Sequence, residues 1–306
     1  MTRLAVIDTG TNSTRLLIAE TAPGLVREVM RQTNITRLGE GVDRGQRLAA
    51  AARDRVRQCV ALYAASIGEL GAERALILAT SSVRDASDGE EFLASLAGQF
   101  AFDWRLLSGE EEASLSFLGA SMSLDRQARA LLFDVGGGST EVVVGQGRQV
   151  EFATSLNLGC VRLREKFFEG DPASPVEIKA ATEFIDGELK SMAGERFERI
   201  EETLAVAGTV TTLAALDLGL EVYDREQVHG HVITREKVDG LFGALSEMSL
   251  SERMQLPVME KGRADVIAAG ALIVSRLLHH IGITEFTVSE FDILDGAALA
   301  MAEHRL

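Results

Sequence analysis

LAVIDTGTNSTRLLIAE, residues 4–20, consists of an apolar run, a turn of Gly, Thr, Asn and Ser, and a second apolar run. This order predicts a β-hairpin with a polar tip. The pattern recurs in ARALLFDVGGGSTEVVVGQG, residues 128–147, which aligns with the first stretch without gaps. Asp8 falls on Asp134, Gly10 on Gly136, Ser13 on Ser139 and Thr14 on Thr140, each 126 positions on. Two Asp-x-Gly-x-x-Ser-Thr turns between apolar strands predict a duplicated domain. Similarity at so long a period decides the architecture before local detail does.

Outward from the hairpins, strands alternate with helices. Between Leu48 and Ile67, Ala52, Val56, Val60 and Ala64 recur at helical spacing, with Gly68 and Gly71 closing the run. RALILATSSVR supplies a strand at Ala75–Ala79 that ends in a hydroxyl-rich loop. LAVAGTVTTLAAL, residues 204–216, passes from strand through Gly208 and Thr209 into a helix start. RADVIAAGALIVSRLLHHIG reads as an apolar helix ended by Gly282, and TEFTVSEFDILDGAALAMAEHRL as strand, turn and helix. The alternation predicts two α/β domains, with ligands collecting in the crevice beyond the strand ends.

The length of 306 residues exceeds what one hydrophobic core serves, which also points to two domains. Hydrophobic residues at 46% and charged residues at 25% are globular proportions. No stretch near 20 apolar residues is present, so no membrane span is expected. The start MTRLAVIDTG enters a strand directly, and Cys59 and Cys160 match neither a CxxC nor a zinc spacing, so the expected compartment is the cytoplasm. A formal charge of −15 excludes nucleic acid as a partner, because that binding needs a basic face. An anionic ligand must therefore rely on a local group of cations and on metal. Candidates for that charge are Arg15, Arg31, Arg37, Arg84, Arg162, Arg164 and Lys166.

A tip of Gly, Thr, Asn and Ser exposes backbone N–H groups and short hydroxyls with no bulky side chain in the way, which suits a phosphate. One such turn is weak, since turns of this composition close hairpins everywhere. Two related turns, with a third Gly-Thr element at Gly208, Thr209, Thr211 and Thr212, are stronger. Asp8 and Asp134 each end an apolar strand. They can hold Mg²⁺ through one or two carboxylates and several waters, with Glu141 as a third oxygen ligand. Each aspartate can equally cap its own turn. In SGEEEASLSFLGA, residues 108–120, Ser108 and Glu111 form a capping box that accounts for Glu110 and Glu111. Glu112 instead lies beside the apolar face of Leu115, Leu118 and Met122, where a partly desolvated carboxylate can take a proton from an attacking water. Arg84, after the Ser-Ser turn of ATSSVRDA, offers a planar donor fork to phosphate oxygens, or else a surface pair with Asp85 or Asp88. His229 and His231 alternate as on a strand, but no third metal ligand accompanies them.

Taken together, AVIDTGTNSTRLLIAE, TRLGEGVD, ATSSVRDA, LLSGEEEASLSFLGA, LLFDVGGGSTEVVVG, LNLGCVRLRE, VAGTVTTLAAL and RADVIAAGALIV resemble, in order, the exopolyphosphatase and guanosine-pentaphosphate phosphohydrolase family. The resemblance implies an α/β fold of two ribonuclease-H-like domains of the actin and acetate-kinase type flanking a cleft. It implies domains at 1–122 and 123–293, with a last helix from about 294 to 306 returning to the first. It further implies hydrolysis of a terminal phosphate by water with Mg²⁺ or Mn²⁺. By motif, the catalytic glutamate is Glu112, with Arg84 beside it. The metal positions are Asp8, Asp134, Gly136 and Glu141. The phosphate contacts are Gly10, Thr11, Asn12, Ser13 and Arg15, then Gly137, Gly138, Ser139 and Thr140, then Gly208, Thr209 and Thr211. Homodimerisation is implied as well. Longer relatives continue into a helical module that has no counterpart here, which favours short polyphosphate chains or a nucleotide as substrate.

Four readings follow for function. The first is exopolyphosphatase activity, and the second removes the 5′ γ-phosphate of guanosine pentaphosphate. A third, an ATP-dependent sugar or acetate kinase, shares the fold but finds no acceptor motif. A noncatalytic sensor of polyphosphate or an alarmone has little use for a base such as Glu112.

Overall fold

The computed structural model describes residues 1–124, 127–192 and 197–306. The chain divides into two compact units, Met1–Met122 with Phe291–Leu306, and Ser123–Glu290. Each is built on one sheet. Unit 1 has β1 (Thr2–Thr9), β2 (Ser13–Ala22), β3 (Leu25–Ile35), β4 (Arg74–Ala79) and β5 (Asp103–Leu106), in the order β3-β2-β1-β4-β5. Unit 2 has β6 (Arg129–Val135), β7 (Thr140–Gln146), β8 (Gln149–Leu156), β9 (Glu202–Val206), β10 (Val232–Thr234) and β11 (Glu285–Val288), in the order β10-β11-β9-β6-β7-β8.

The two sheets share a plan. In each, three strands run as an antiparallel meander and two more join in parallel. The plan is the ribonuclease-H-like one expected from the sequence, with β10 as an added edge in unit 2. Even an irregularity repeats: the register shifts at Ile18/Ala19 in unit 1 and at Val144/Gly145 in unit 2, again 126 residues apart. A bulge inserts a residue and bends a strand, so its recurrence at one offset means that the two backbones bend alike.

Side chains alternate across the unit 1 sheet, as strand geometry requires. Ala5, Ile7, Leu16 and Ile18 enter the core shared with the helices Ala50–Glu69 and Gly89–Phe100, which supply Val56, Val60, Tyr63, Phe92 and Leu96. Leu4, Val6, Leu17 and Ala19 face the other way, onto the helices Gly109–Ala120 and Ile293–Ala302. Within Ala50–Glu69 the buried face runs through Tyr63 and Ile67, while Ala64 is only half-buried. In unit 2 the core gathers Leu131, Phe133, Val142 and Val144 with the helices Cys160–Phe167, Pro175–Leu189, Ala207–Asp217 and Ile267–Ile281. The last of these ends on Gly282, whose φ of 81° is the left-handed cap expected there. No helix among the described residues is long and apolar enough to cross a membrane.

The C-terminal segment joins unit 1 from Phe291, three residues before the expected start at 294. The reason is chemical. Asp292 pairs with Arg15 of β2, and Ile293 is buried among Leu4, Val6 and Leu115. Arg31 of β3 donates through Nη2 to Asp295 Oδ1 at 2.7 Å and lies 3.8 Å from Asp292 Oδ1. Both aspartates also cap their own helix, Asp292 accepting from Leu294 N and Asp295 from Asp292 N. Two acids at a positive helix end, with two arginines against them, join the meander to the C-terminal helix.

That helix crosses Gly109–Ala120 where two glycines meet. A Cβ on Gly119 would lie 1.9 Å from Asp292 O, and one on Gly296 would lie 1.9 Å from Leu115 O. Either Gly119→Ala or Gly296→Ala must force the helices apart, at about 3 kcal/mol or more, read as a lowered urea midpoint. Arg31→Met is expected to cost about 3–5 kcal/mol in the same measurement, because buried Asp295 and Asp292 lose a counter-charge.

Candidate active site

Each hairpin tip is closed by one hydrogen bond in the same place. Gly10 N–H donates to Ser13 O at 2.9 Å, and Gly136 N–H to Ser139 O at 3.0 Å. A Cβ at Gly10 or Gly136 would come within 3.2 Å of that acceptor, tighter than ordinary contact. The loop carbonyls are then taken by the segment that follows each meander. In unit 1, Thr36 and Arg37 donate N–H to Asn12 O at 3.1 and 2.9 Å, and Gly39 to Thr11 O at 2.9 Å. In unit 2, Cys160 donates to Gly136 O at 3.0 Å, and Val161 and Arg162 to Gly137 O at 2.9 and 3.2 Å. Arg162 adds its side-chain Nε on Gly138 O at 2.8 Å. Gly159 makes this approach possible, since a Cβ there would lie 2.3 Å from Gly137 O. The N–H groups of Gly137 and Gly138 find no acceptor among the described residues.

The hydroxyls of the loops are less free than the sequence suggests. Thr11 Oγ1 shares a hydrogen bond with Ser81 Oγ at 2.9 Å, and Thr14 with Thr36 at 2.8 Å. Thr140 donates to Leu158 O, and Ser139 is buried. In the third element, Gly208, Thr209 and Thr211 lie in the first turns of the helix Ala207–Asp217. Thr209 Oγ1 donates to Val135 O at 3.1 Å and Thr211 Oγ1 to Gly208 O at 3.4 Å. These two threonines therefore brace the end of β6 and their own helix. Arg263 is the group that sequence reasoning missed. Its guanidinium lies on Gly208, where a Cβ would come 1.7 Å from Nη1, and no spacing in KGRAD signals that.

Glu112 and Arg84, chosen separately from sequence, are brought together in unit 1. Ser108 and Glu111 form the expected capping box. Glu112, in the first turn of the helix Gly109–Ala120, is 9% exposed. Arg84 Nη1 donates to Leu107 O at 2.7 Å and to Glu112 Oε2 at 3.2 Å. Asp88, one of the two alternative partners, instead accepts Leu48 N–H at 3.0 Å and pairs with Arg47 and Arg53.

The acids at the strand ends differ between the units. In unit 1, Asp8 faces Arg15 across the β1–β2 pair, and Arg15 Nε and Nη2 donate to Asp8 Oδ2 at 3.0 and 2.7 Å. Arg15, expected on phosphate, is thus committed to Asp8 and Asp292. Asp8 Oδ1 is buried with no hydrogen-bond partner, and burial raises the carboxyl pKa despite Arg15. In unit 2, the position matching Arg15 is Glu141, directly opposite Asp134. Both carboxylates are buried, and Ser155 Oγ donates to Glu141 Oε1 at 2.7 Å. Like charges facing each other across strands are unfavourable, so this pair is suited to a shared cation. Gly136 fits less well, since its N–H and carbonyl serve Ser139 and Cys160. Among the described residues no three His, Cys, Asp or Glu gather as a preformed metal cluster.

The remaining candidates separate from the site chemistry. His229 Nδ1 accepts Glu290 N–H at 3.2 Å, and His231 Nε2 pairs with Asp217 Oδ2 at 2.9 Å. Cys59 and Cys160 are buried thiols, and burial pushes Cys160 up to about 11, so it stays protonated near neutral pH.

The sequence and the fold described above are similar to those of known proteins. Residues 17–304 match the model of the Ppx/GppA phosphatase family. The chain is 38% identical to exopolyphosphatase 2 of Mycobacterium tuberculosis over 99% of both proteins. It is 26% identical to a guanosine-5′-triphosphate,3′-diphosphate pyrophosphatase of Aeromonas hydrophila, covering 95% of this chain and 58% of that one. Among solved structures, the Ppx/GppA protein of Aquifex aeolicus superimposes with a TM-score of 0.83 at 31% identity, over 99% of this chain and 98% of that one. A match of this extent makes the chain a member of the Ppx/GppA phosphatase family.

Proposed function

We propose that the chain is an exopolyphosphatase that releases orthophosphate from the end of inorganic polyphosphate, with Glu112 as general base. The observation that carries this reading is the buried Glu112 carboxylate held against Arg84 at 3.2 Å. A helix-start glutamate serving only as a cap would face solvent, as Glu111 does. Glu112 takes a proton from water while the water oxygen bonds to the terminal phosphorus. The P–O bond to the bridging oxygen breaks, and the shortened polyphosphate leaves with that electron pair. Backbone N–H groups of a glycine loop suit the charge spread over phosphoryl oxygens, and Gly137 and Gly138 are the candidates in unit 2. Arg84 orients the base through Leu107 O and offers its charge to the transferred group.

Asp134 and Glu141 in unit 2 are the residues that would hold a divalent cation, Mg²⁺ or Mn²⁺, and Asp8 is the metal candidate of unit 1. When bound, that ion neutralises phosphate charge that an acidic protein would otherwise repel. Short chains are the favoured substrate, and the relative named exopolyphosphatase 2 supports the choice of polymer. Hydrolysis of guanosine pentaphosphate is the second reading, supported by the name of the Aeromonas relative. Two buried thiols suit a cytoplasmic location, and a homodimer is the assembly that the family resemblance implies.

Phosphate release measured across polyphosphate lengths and guanosine pentaphosphate is expected to be fastest on short polyphosphate. Faster release from the nucleotide would reverse the order of the two readings. Chelation of divalent ions by EDTA should abolish release, and added Mg²⁺ or Mn²⁺ should restore it. Glu112→Gln is expected to lower kcat by about 100-fold or more with an unchanged melting temperature. Retention of most activity in that variant would remove Glu112 as the base.

A further inference from the structure

The helix Ala50–Glu69 walls the unit 1 core, and one line of its side chains carries polar atoms to the backbone around the first hairpin tip. Arg55, Cys59 and Tyr63 follow at four-residue steps, so they share a face and span about 12 Å of the helix. Tyr63 is fully buried, and its hydroxyl makes two hydrogen bonds. It donates to Thr14 O at 2.8 Å and accepts from Asn34 Nδ2 at 2.8 Å. Thr14 and Asn34 face each other across the β2–β3 pair, so the phenol ties these strands next to the Gly10–Ser13 tip. Burial raises the phenol pKa above the usual tyrosine range, so the hydroxyl stays a donor near neutral pH.

Two turns earlier, Arg55 Nε donates to Thr36 O at 2.7 Å, and its Nη2 donates to Arg37 O at 3.3 Å and to Glu40 Oε2 at 2.9 Å. Thr36 and Arg37 are the residues whose N–H groups hold Asn12 O. They lie beyond the end of β3, where no sheet ladder fixes the chain, and Arg37 has a left-handed backbone with φ 52°. The hydroxyl bond between Thr14 and Thr36 closes the set. One helix therefore reaches the tip from both sides: through Thr14 on the strand that leaves it, and through Thr36 and Arg37 on the segment that grips it.

We propose that Tyr63 and Arg55 are positioning residues for the Gly10–Ser13 tip, which touch no substrate and hold the tip backbone in the conformation that accepts a phosphate. The proposal rests on the reading of that tip as a phosphate contact of an exopolyphosphatase, and it adds two residues of unit 1 to that activity. A tip released from these bonds loses the common aim of its backbone dipoles. Contacts felt equally by bound substrate and transition state act on KM rather than on kcat.

The test is phosphate release from tripolyphosphate with Mg²⁺, fitted for KM and kcat in the wild-type protein and in Tyr63→Phe, Arg55→Met and Val56→Ala, with a melting temperature for each. Val56 is fully buried on the same helix, so its truncation loosens the packing without removing a polar bond. Tyr63→Phe and Arg55→Met are expected to raise KM about fivefold or more while kcat stays within about twofold. Val56→Ala is expected to lower the melting temperature by about 2–4 °C or more, at least as far as Tyr63→Phe does, and to leave KM unchanged. An unchanged KM in one polar variant removes that residue, and in both it overturns the proposal. An equal rise of KM in Val56→Ala also overturns it, because loosening of the helix would then account for the effect. Where the wild-type protein turns over tripolyphosphate, these failures leave the exopolyphosphatase reading standing. Absence of phosphate release by the wild-type protein sinks that reading and this proposal together.

Discussion

One hydrogen bond, from glycine N–H to the carbonyl three residues on, closes each hairpin tip and sets the terms for the rest of the site. Gly10 to Ser13 and Gly136 to Ser139 turn the chain so tightly that a Cβ at either glycine would crowd the acceptor. Segments following β3 and β8 then occupy the loop carbonyls. A loop whose carbonyls are spent and whose N–H groups are not is suited to an anion. In unit 2 the closeness of the helix Cys160–Phe167 depends in turn on Gly159, so the loop and the helix against it are one construction.

The duplication also shows where the units have parted in chemistry. At the same register position, unit 1 has Arg15 opposite Asp8 and unit 2 has Glu141 opposite Asp134. The first pairing is closed within the protein and extends through Asp292 and Arg31 to Asp295. The second places two buried acids together, an arrangement that gains from an external cation. One unit has used the strand end to build an internal ion network, while the other has kept it suited to a ligand.

Glu112 is positioned from behind by packing. Its helix contacts the C-terminal helix through Gly119 and Gly296, close enough for backbone to meet backbone. The C-terminal helix is anchored by Asp292 and Asp295 on the arginines of the meander. The helix that carries Glu112 is thereby held by residues at positions 292–296, far along the chain.

Much of this was legible in the amino-acid order. The aligned tips at Asp8 and Asp134 declared the duplication, and the sheets repeat down to a bulge at the same offset. Capping chemistry separated Glu112 from Glu111, because a local rule accounted for one and left the other over. The partnerships were not legible. That Arg84 meets Glu112, that Arg15 is spent on Asp8 and Asp292, that Thr209 braces Val135 O and that Arg263 covers Gly208 are contacts across 7 to 277 positions and between elements. Sequence by itself determines what is local or repeated: turn closure, strand alternation, helix caps and the copied motif. Which side chain satisfies which depends on how the sheets and helices bring distant residues within a few ångströms, and only the tertiary structure decides that.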